Sequence, residues 1–173
     1  MHTRRNQFDQ RDSLEIGDKA ESIFARIAEN RGWRVSEASK RENINEHWDF
    51  LIEKLEESYK VDVKAMKRIS RYDSAVQDTW LWVELHGVRN YDRGWLYDGK
   101  ADLIAVENVK SFVIIKRINL IELVERLVDR NSVVSVAKEA KYKVYSRHSR
   151  PDRISMIETE KLESIKWAEW RKI

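Results

Sequence analysis

The stretch "YKVDVKAMK", Tyr59 to Lys67, alternates apolar and charged residues with a period of two, the pattern of a β-strand with one buried face. Tyr59, Val61, Val63 and Ala65 share that face, while Lys60, Asp62, Lys64 and Met66 share the other. Alone, the alternation is equally that of a half-buried strand with an ordinary solvated face and of a strand that holds Asp62 and Lys64 side by side for chemistry. Its surroundings separate the two.

Upstream, "WDFLIE" (Trp48 to Glu53) reads as a strand with Trp48, Phe50 and Ile52 on one side and Asp49, Leu51 and Glu53 on the other. Before it, "DSLEIGDKAESIFARIAENRGW" reads as a helix: Asp12 or Ser13 can cap it, Glu15 has the capping-box spacing, and Ile16, Ala20, Ile23 and Ile27 recur at helical intervals up to Gly32. Glu21 lies in the row beside that stripe. Downstream, "TWLWVELHG" (Thr79 to Gly87) reads as a third strand, and "ADLIAVE" and "SFVIIKRI" as a hairpin. "NLIELVERLVDRN" reads as a second helix, "RISMIE" as a short strand and "TEKLESIKWAEW" as a closing helix. The order predicts an α/β fold with a central mixed sheet flanked by helices: an αβββ start, an additional hairpin, then αβα.

The 173 residues suffice for one domain with a real core, and 42% hydrophobic with 36% charged residues fits a globular chain with a heavily ionised surface. No apolar run approaches the ~20 residues that cross a bilayer, and "MHTRRNQFDQRDS" lacks a signal-peptide core, so a cytoplasmic protein without membrane partners is expected. The absence of cysteine removes disulfides, thiolate nucleophiles and cysteine-bound zinc. A metal would have to rest on carboxylates or histidines.

If the strands of Asp49 and Asp62 are neighbours, the two carboxylates converge beside Lys64. Two close carboxylates are costly unless a cation joins them. Mg²⁺ prefers such oxygens, and phosphodiester hydrolysis uses the set: the metal polarises a phosphoryl oxygen and acidifies a water, while the lysine orients that water or stabilises developing charge. The acidic-x-Lys pattern occurs three times, at Asp62–Lys64, Asp98–Lys100 and Glu139–Lys141. Only the first lies on an alternating strand with another aspartate one strand earlier.

A helix bearing Glu21, Asp49 at the start of a strand, a hairpin and then "DVK" on the next strand resembles the PD-(D/E)XK nuclease superfamily over roughly residues 13–87. Twelve residues separate Asp49 from Asp62, and His47 and Trp48 stand where the family pattern has a proline. The resemblance implies a restriction-endonuclease-like core in a single nuclease-like domain over residues 1–173, with 1–12 as a flexible tail. It implies Mg²⁺, with Mn²⁺ able to substitute, bound by Asp49, Asp62, the Val63 backbone carbonyl and Glu21. Lys64 would be the catalytic lysine and Glu21 an assisting acid. DNA is the implied substrate, cutting at ends or internally stays open, and so does a homodimer that cuts both strands. Families of this kind are often carried by phages or mobile elements, which would put the protein in a host cytoplasm. The reading from a different class is a non-catalytic nucleic-acid-binding or assembly module; a nuclease acting on RNA stands third.

Basic residues near the strand are candidates for DNA contact: Lys67, Arg68 and Arg71 directly after it, Lys100 at the end of "RNYDRGWLYDGK", and Lys143, Arg147 and Arg150 within "KYKVYSRHSRPDR". Each segment reads equally as a solvated strand end, turn or loop. His47, His86 and His148 have no zinc-type spacing and His2 is terminal, so structural or surface roles are expected. Trp80, Trp82, Glu84 and His86 share one face of their strand. That face either packs under a helix or borders the metal cleft, where Glu84 would add a carboxylate.

Overall fold

A computed structural model describes residues 3–173, with side chains from residue 12 onward; His2 lies outside the described residues. It contains four α-helices, α1 (Thr3–Asn30), α2 (Lys40–Glu46), α3 (Gly94–Tyr97) and α4 (Arg117–Leu127). Its ten strands are β1 (Arg34–Glu37), β2 (Phe50–Lys54), β3 (Glu57–Lys64), β4 (Trp80–His86), β5 (Leu103–Glu107), β6 (Ser111–Lys116), β7 (Asp129–Val134), β8 (Lys143–Ser146), β9 (Arg153–Glu158) and β10 (Lys166–Arg171).

The architecture is mixed α/β. A six-stranded mixed sheet runs β1-β2-β3-β5-β6-β10 and a second sheet runs β4-β9-β8-β7. In the central sheet β3 is parallel to β5, and all other neighbours are antiparallel. Helix α1 covers one face. Its Ala20, Phe24, Ile27 and Ala28 pack on Phe50, Ile52, Val61, Val63, Leu103, Ala105, Phe112 and Ile114. The opposite face, through Ile104, Val106 and Ile115, packs on the second sheet (Leu81, Val83, Leu85) and on α4 (Leu120, Leu123, Val124). Because side chains alternate along β3, Val61 and Val63 face α1 while Asp62 and Lys64 emerge toward the second sheet.

Several expectations change. Helix α1 starts at Thr3, so the backbone of residues 3–12 is helical where a tail and a cap at Asp12 or Ser13 were expected. The three strands after α1 in the central sheet are β1, β2 and β3. The "TWLWVELHG" run forms β4 of the second sheet, paired with β9. Strand β1, "RVSE", is a short, mostly exposed edge without the apolar alternation that would announce it. The "closing helix" is instead a 3-10 segment, Thr159–Ile165, followed by strand β10, which pairs antiparallel with β6. Trp170 decides that exchange: it is buried and stacks on Phe24 at 5.6 Å, a partner supplied by α1. Trp48 lies before β2 rather than within it, beyond His47 in the left-handed conformation (φ 55°), and joins the opposite core from Phe50 and Ile52. No helix among the described residues is long and apolar enough to cross a membrane.

Candidate active site

Asp49 leads into β2, and its backbone is already in register: its N–H donates to Val61 O (2.8 Å), while its carbonyl accepts from Ala38 N–H (2.8 Å). Its carboxylate is held at both oxygens. Oδ2 accepts from Val63 N–H on β3 (2.7 Å), and Oδ1 accepts from Asn43 Nδ2 on α2 (2.7 Å). A capping box between Ser39 and Glu42 sets the helix that presents Asn43. Asp62 and Lys64 follow on β3, with Lys64 Nζ 2.8 Å from Asp62 Oδ2.

Asp62 is 4% exposed, and the Lys64 ammonium is the charge partner of its Oδ2. Lys64 Nζ also lies 4.4 Å over the ring of Trp95, which is buried beneath it. Glu107 closes the strand end: its Oε2 accepts from Met66 N–H (3.0 Å) and its Oε1 from Lys172 (2.7 Å).

The carboxyl groups compete for too little positive charge. Burial, then Asp62, pushes Asp49 up to about 6, against the opposing Val63 N–H and Lys64. Burial, then Asp49 and Asp18, pushes Glu21 up to about 7, with Lys64 again opposing. Asp62 is raised by burial despite Lys64, and Asp49 when protonated can donate to it. Glu21 on α1 is thus coupled electrostatically to Asp49, Asp62 and Lys64.

Glu84 belongs beside them. Its carboxyl is raised by burial and lowered by Lys64 and then His47, which places the half-buried face of β4 toward the cleft and its Leu81, Val83 and Leu85 in the core. Parity along β4 offered that face as one of two readings. Lys67 is exposed overall, yet its ammonium is crowded: burial lowers its pKa, Lys64 adds to this, and Glu84 and Asp62 oppose it. A cavity of about 30 Å³, large enough for a water, lies between Lys64, Lys67, Trp80, Trp82 and Trp95. His47 Nε2 contacts Asp92 at 3.1 Å, tying the loop after β4 to the backbone just before Asp49. Asn43 and Asp92 carried no signal in the sequence, since each acts through a contact made only after folding; Trp95, in an aromatic loop suited to stacking on a partner, is instead buried under Lys64.

The other basic candidates divide. Arg68 pairs with Asp12 of α1, and Arg147 with Asp152, so both are committed internally. Tyr142 and Tyr145 of the basic segment pack on Trp80 and Trp82 instead of lying free. Lys100, Lys143, Arg150 and Arg71 remain exposed.

Among the described residues, no three His, Asp or Glu side chains form a ready-made metal cage. The donor set still suits a hard cation that keeps several waters and needs only one or two carboxylates, as Mg²⁺ does: Asp49 and Asp62 meet beside Lys64, and burial, then repulsion from Asp62, raises Asp49. The chain matches no protein-family model, no curated protein and no solved structure.

Proposed function

We propose that this chain is a Mg²⁺-dependent DNA nuclease with a restriction-endonuclease-like core, hydrolysing phosphodiester bonds. One observation carries the reading: buried Asp62, with the Lys64 ammonium 2.8 Å from its Oδ2, and a second carboxylate, Asp49, pinned to the same strand through Val63 N–H meet at one strand edge. The α1 helix followed by the β1-β2-β3 meander, with Asp49 entering β2 and Asp62 and Lys64 on β3, supports the fold assignment.

Asp49 and Asp62 would hold the ion, with the Val63 carbonyl and Glu21 as further oxygen donors. Bound there, Mg²⁺ or Mn²⁺ supplies the charge that polarises a phosphoryl oxygen and acidifies a water. Lys64, steadied by Trp95 and Asp62, directs its ammonium protons to the attacking water and to charge developing on the phosphate. Glu21, raised by burial and then by Asp49 to about 7 in the metal-free chain, would assist as a carboxylate once the ion is bound. Asn43 and the Val63 N–H keep Asp49 from turning away.

The test is incubation of plasmid and labelled linear DNA with the protein and Mg²⁺ or Mn²⁺, repeated with Lys64→Ala and Asp62→Ala. The expected result is cleavage by the wild type and its loss in both variants. Cleavage unaffected by either substitution rejects the assignment of the site, and no cleavage of any substrate favours a non-catalytic nucleic-acid-binding or assembly module.

A further inference from the structure

Two loops flank the site, and each ends in the same kind of tip. The first leaves β3 directly after Lys64. Its root is fastened by Glu107 to Met66 N–H, by Trp82 Nε1 to Arg68 O (3.1 Å) and by Arg68 to Asp12. The second leaves β4 two residues beyond Glu84 and is fastened by Asp92 to His47, two residues before Asp49, and to Gly94 N–H (2.8 Å). One loop is rooted at the lysine, the other beside the first aspartate.

At the first tip, Ser70–Asp73 closes a four-residue turn: Asp73 N–H donates to Ser70 O (3.0 Å), and Asp73 Oδ2 accepts from Ser70 N–H (2.9 Å). At the second, Asp92 N–H donates to Arg89 O (3.1 Å). Both turns therefore place a tyrosine third and an aspartate fourth, Tyr72–Asp73 and Tyr91–Asp92. Each tyrosine has an arginine within reach: Arg71 lies 4.9 Å over the Tyr72 ring and donates to its hydroxyl (2.8 Å), and Arg89 approaches the Tyr91 hydroxyl at 3.5 Å. Tyr72 is 74% exposed and Tyr91 79% exposed, so neither ring serves the core. Turn chemistry calls for Asn, Asp, Gly or Ser at such tips, not for tyrosine.

We propose that the DNA strand at this site has unpaired bases, which stack on Tyr72 and Tyr91 while Arg71 and Arg89 meet its phosphates. The physical reason is access. In a duplex the base faces are covered by their neighbours, so an exposed ring that stacks on DNA finds its partner on an unpaired base, where every base offers a π-face. The proposal rests on the nucleic-acid reading of the site and narrows its substrate class to single strands, flaps or unpaired ends.

The test measures binding in EDTA, where no cleavage occurs, by fluorescence anisotropy with a labelled thymidine oligonucleotide, an abasic oligonucleotide of equal length and the corresponding blunt duplex. Expected is tighter binding of the single strand than of either other probe. Tyr72→Ala and Tyr91→Ala should each weaken it by about 5- to 100-fold, and Tyr72→Phe and Tyr91→Phe should keep it within about twofold because the ring remains. Both positions are exposed, so the variants' unfolding curves should overlay that of the wild type. Duplex bound as tightly as the single strand, or alanine variants that bind like the wild type, would overturn the proposal. Mg²⁺-dependent cleavage of blunt duplex with no single-strand preference overturns it while leaving the nuclease reading intact; tyrosine-dependent single-strand binding with no cleavage does the reverse.

Discussion

Asp49 Oδ2 accepts a hydrogen bond from the backbone N–H of Val63, 2.7 Å away on the neighbouring strand. Val63 sits between Asp62 and Lys64, so this one bond locks the first aspartate to the strand carrying the other two groups. The site is therefore as rigid as the β2–β3 pairing itself. Geometry held by a sheet ladder before substrate arrives is the condition for electrostatic stabilisation without reorganisation.

Burial of the site's carboxyl groups costs stability as pH rises toward and through neutrality. Glu21 and Asp49 titrate near 7 and 6, above their ordinary values of 4.5 and 3.8. Between those limits the folded chain holds more protons than the unfolded one, so this contribution is complete below the unfolded values and is lost as pH rises through the folded ones. In metal-free buffer, Glu21→Gln should flatten the decline in denaturant midpoint between about pH 5 and about pH 8, and stabilise the protein at the upper end by about 1–2 kcal/mol after allowance for partial exposure. A Glu21→Gln curve parallel to the wild type would show that Glu21 is not desolvated.

Divalent cations should restore what the carboxylates lack. Melting temperature in Mg²⁺ relative to EDTA should rise, and the rise should grow with pH across the range in which Glu21 and Asp49 lose protons, since ligands must be deprotonated to bind. Lys64→Ala removes the partner of buried Asp62, so the variant should be less stable than the wild type in EDTA by about 3 kcal/mol and gain more from Mg²⁺. Equal gains in the two proteins would place the cation elsewhere.

Gly94 is required twice. Its φ is +84°, and a Cβ there would lie 2.7 Å from Glu84 Cγ. Gly94→Ala should cost about 1–3 kcal/mol in urea unfolding and push the Glu84 side chain from its place. Unchanged stability would mean that the loop relaxes freely.

The last strand is structural. Trp170 is 5% exposed, stacks on Phe24 and lies under Arg31, whose guanidinium is 5.4 Å from its ring. Trp170→Ala should destabilise by about 3–5 kcal/mol without altering the pH dependence of the site. A loss below about 1 kcal/mol, as for exposed positions, would show that β10 frays.

Much of the site could be read along the chain because strand parity is local. Alternation from Tyr59 to Ala65 assigns Val61 and Val63 to one face and Asp62 and Lys64 to the other wherever the strand is placed, and Glu21 follows from helical periodicity in the same way. The elements misread were those whose state depends on a distant partner. "KWAEW" is compatible with a helix or a strand until Phe24 and β6 are present to receive Trp170 and the backbone of β10. The exposed edge "RVSE" has no buried face of its own and is a strand only because β2 supplies its ladder. The Thr79–Gly87 run has clear alternation, but the choice between pairing with β3 and with β9 is made by packing across the core.

By itself, then, the sequence determined which residues share a face, and with that the placing of Asp62 beside Lys64 and of Glu84 opposite a leucine–valine core. Tertiary structure alone decided that Asn43 and Val63 N–H clamp Asp49, that Trp95 lies under Lys64, that Arg68 and Arg147 are taken by internal aspartates, and that Tyr72 and Tyr91 are exposed beside Arg71 and Arg89. The physical reason is one of range: side-chain direction along a strand or helix is set by bonds to immediate neighbours, whereas desolvation, ion pairing and exposure depend on which distant surfaces the fold brings against them.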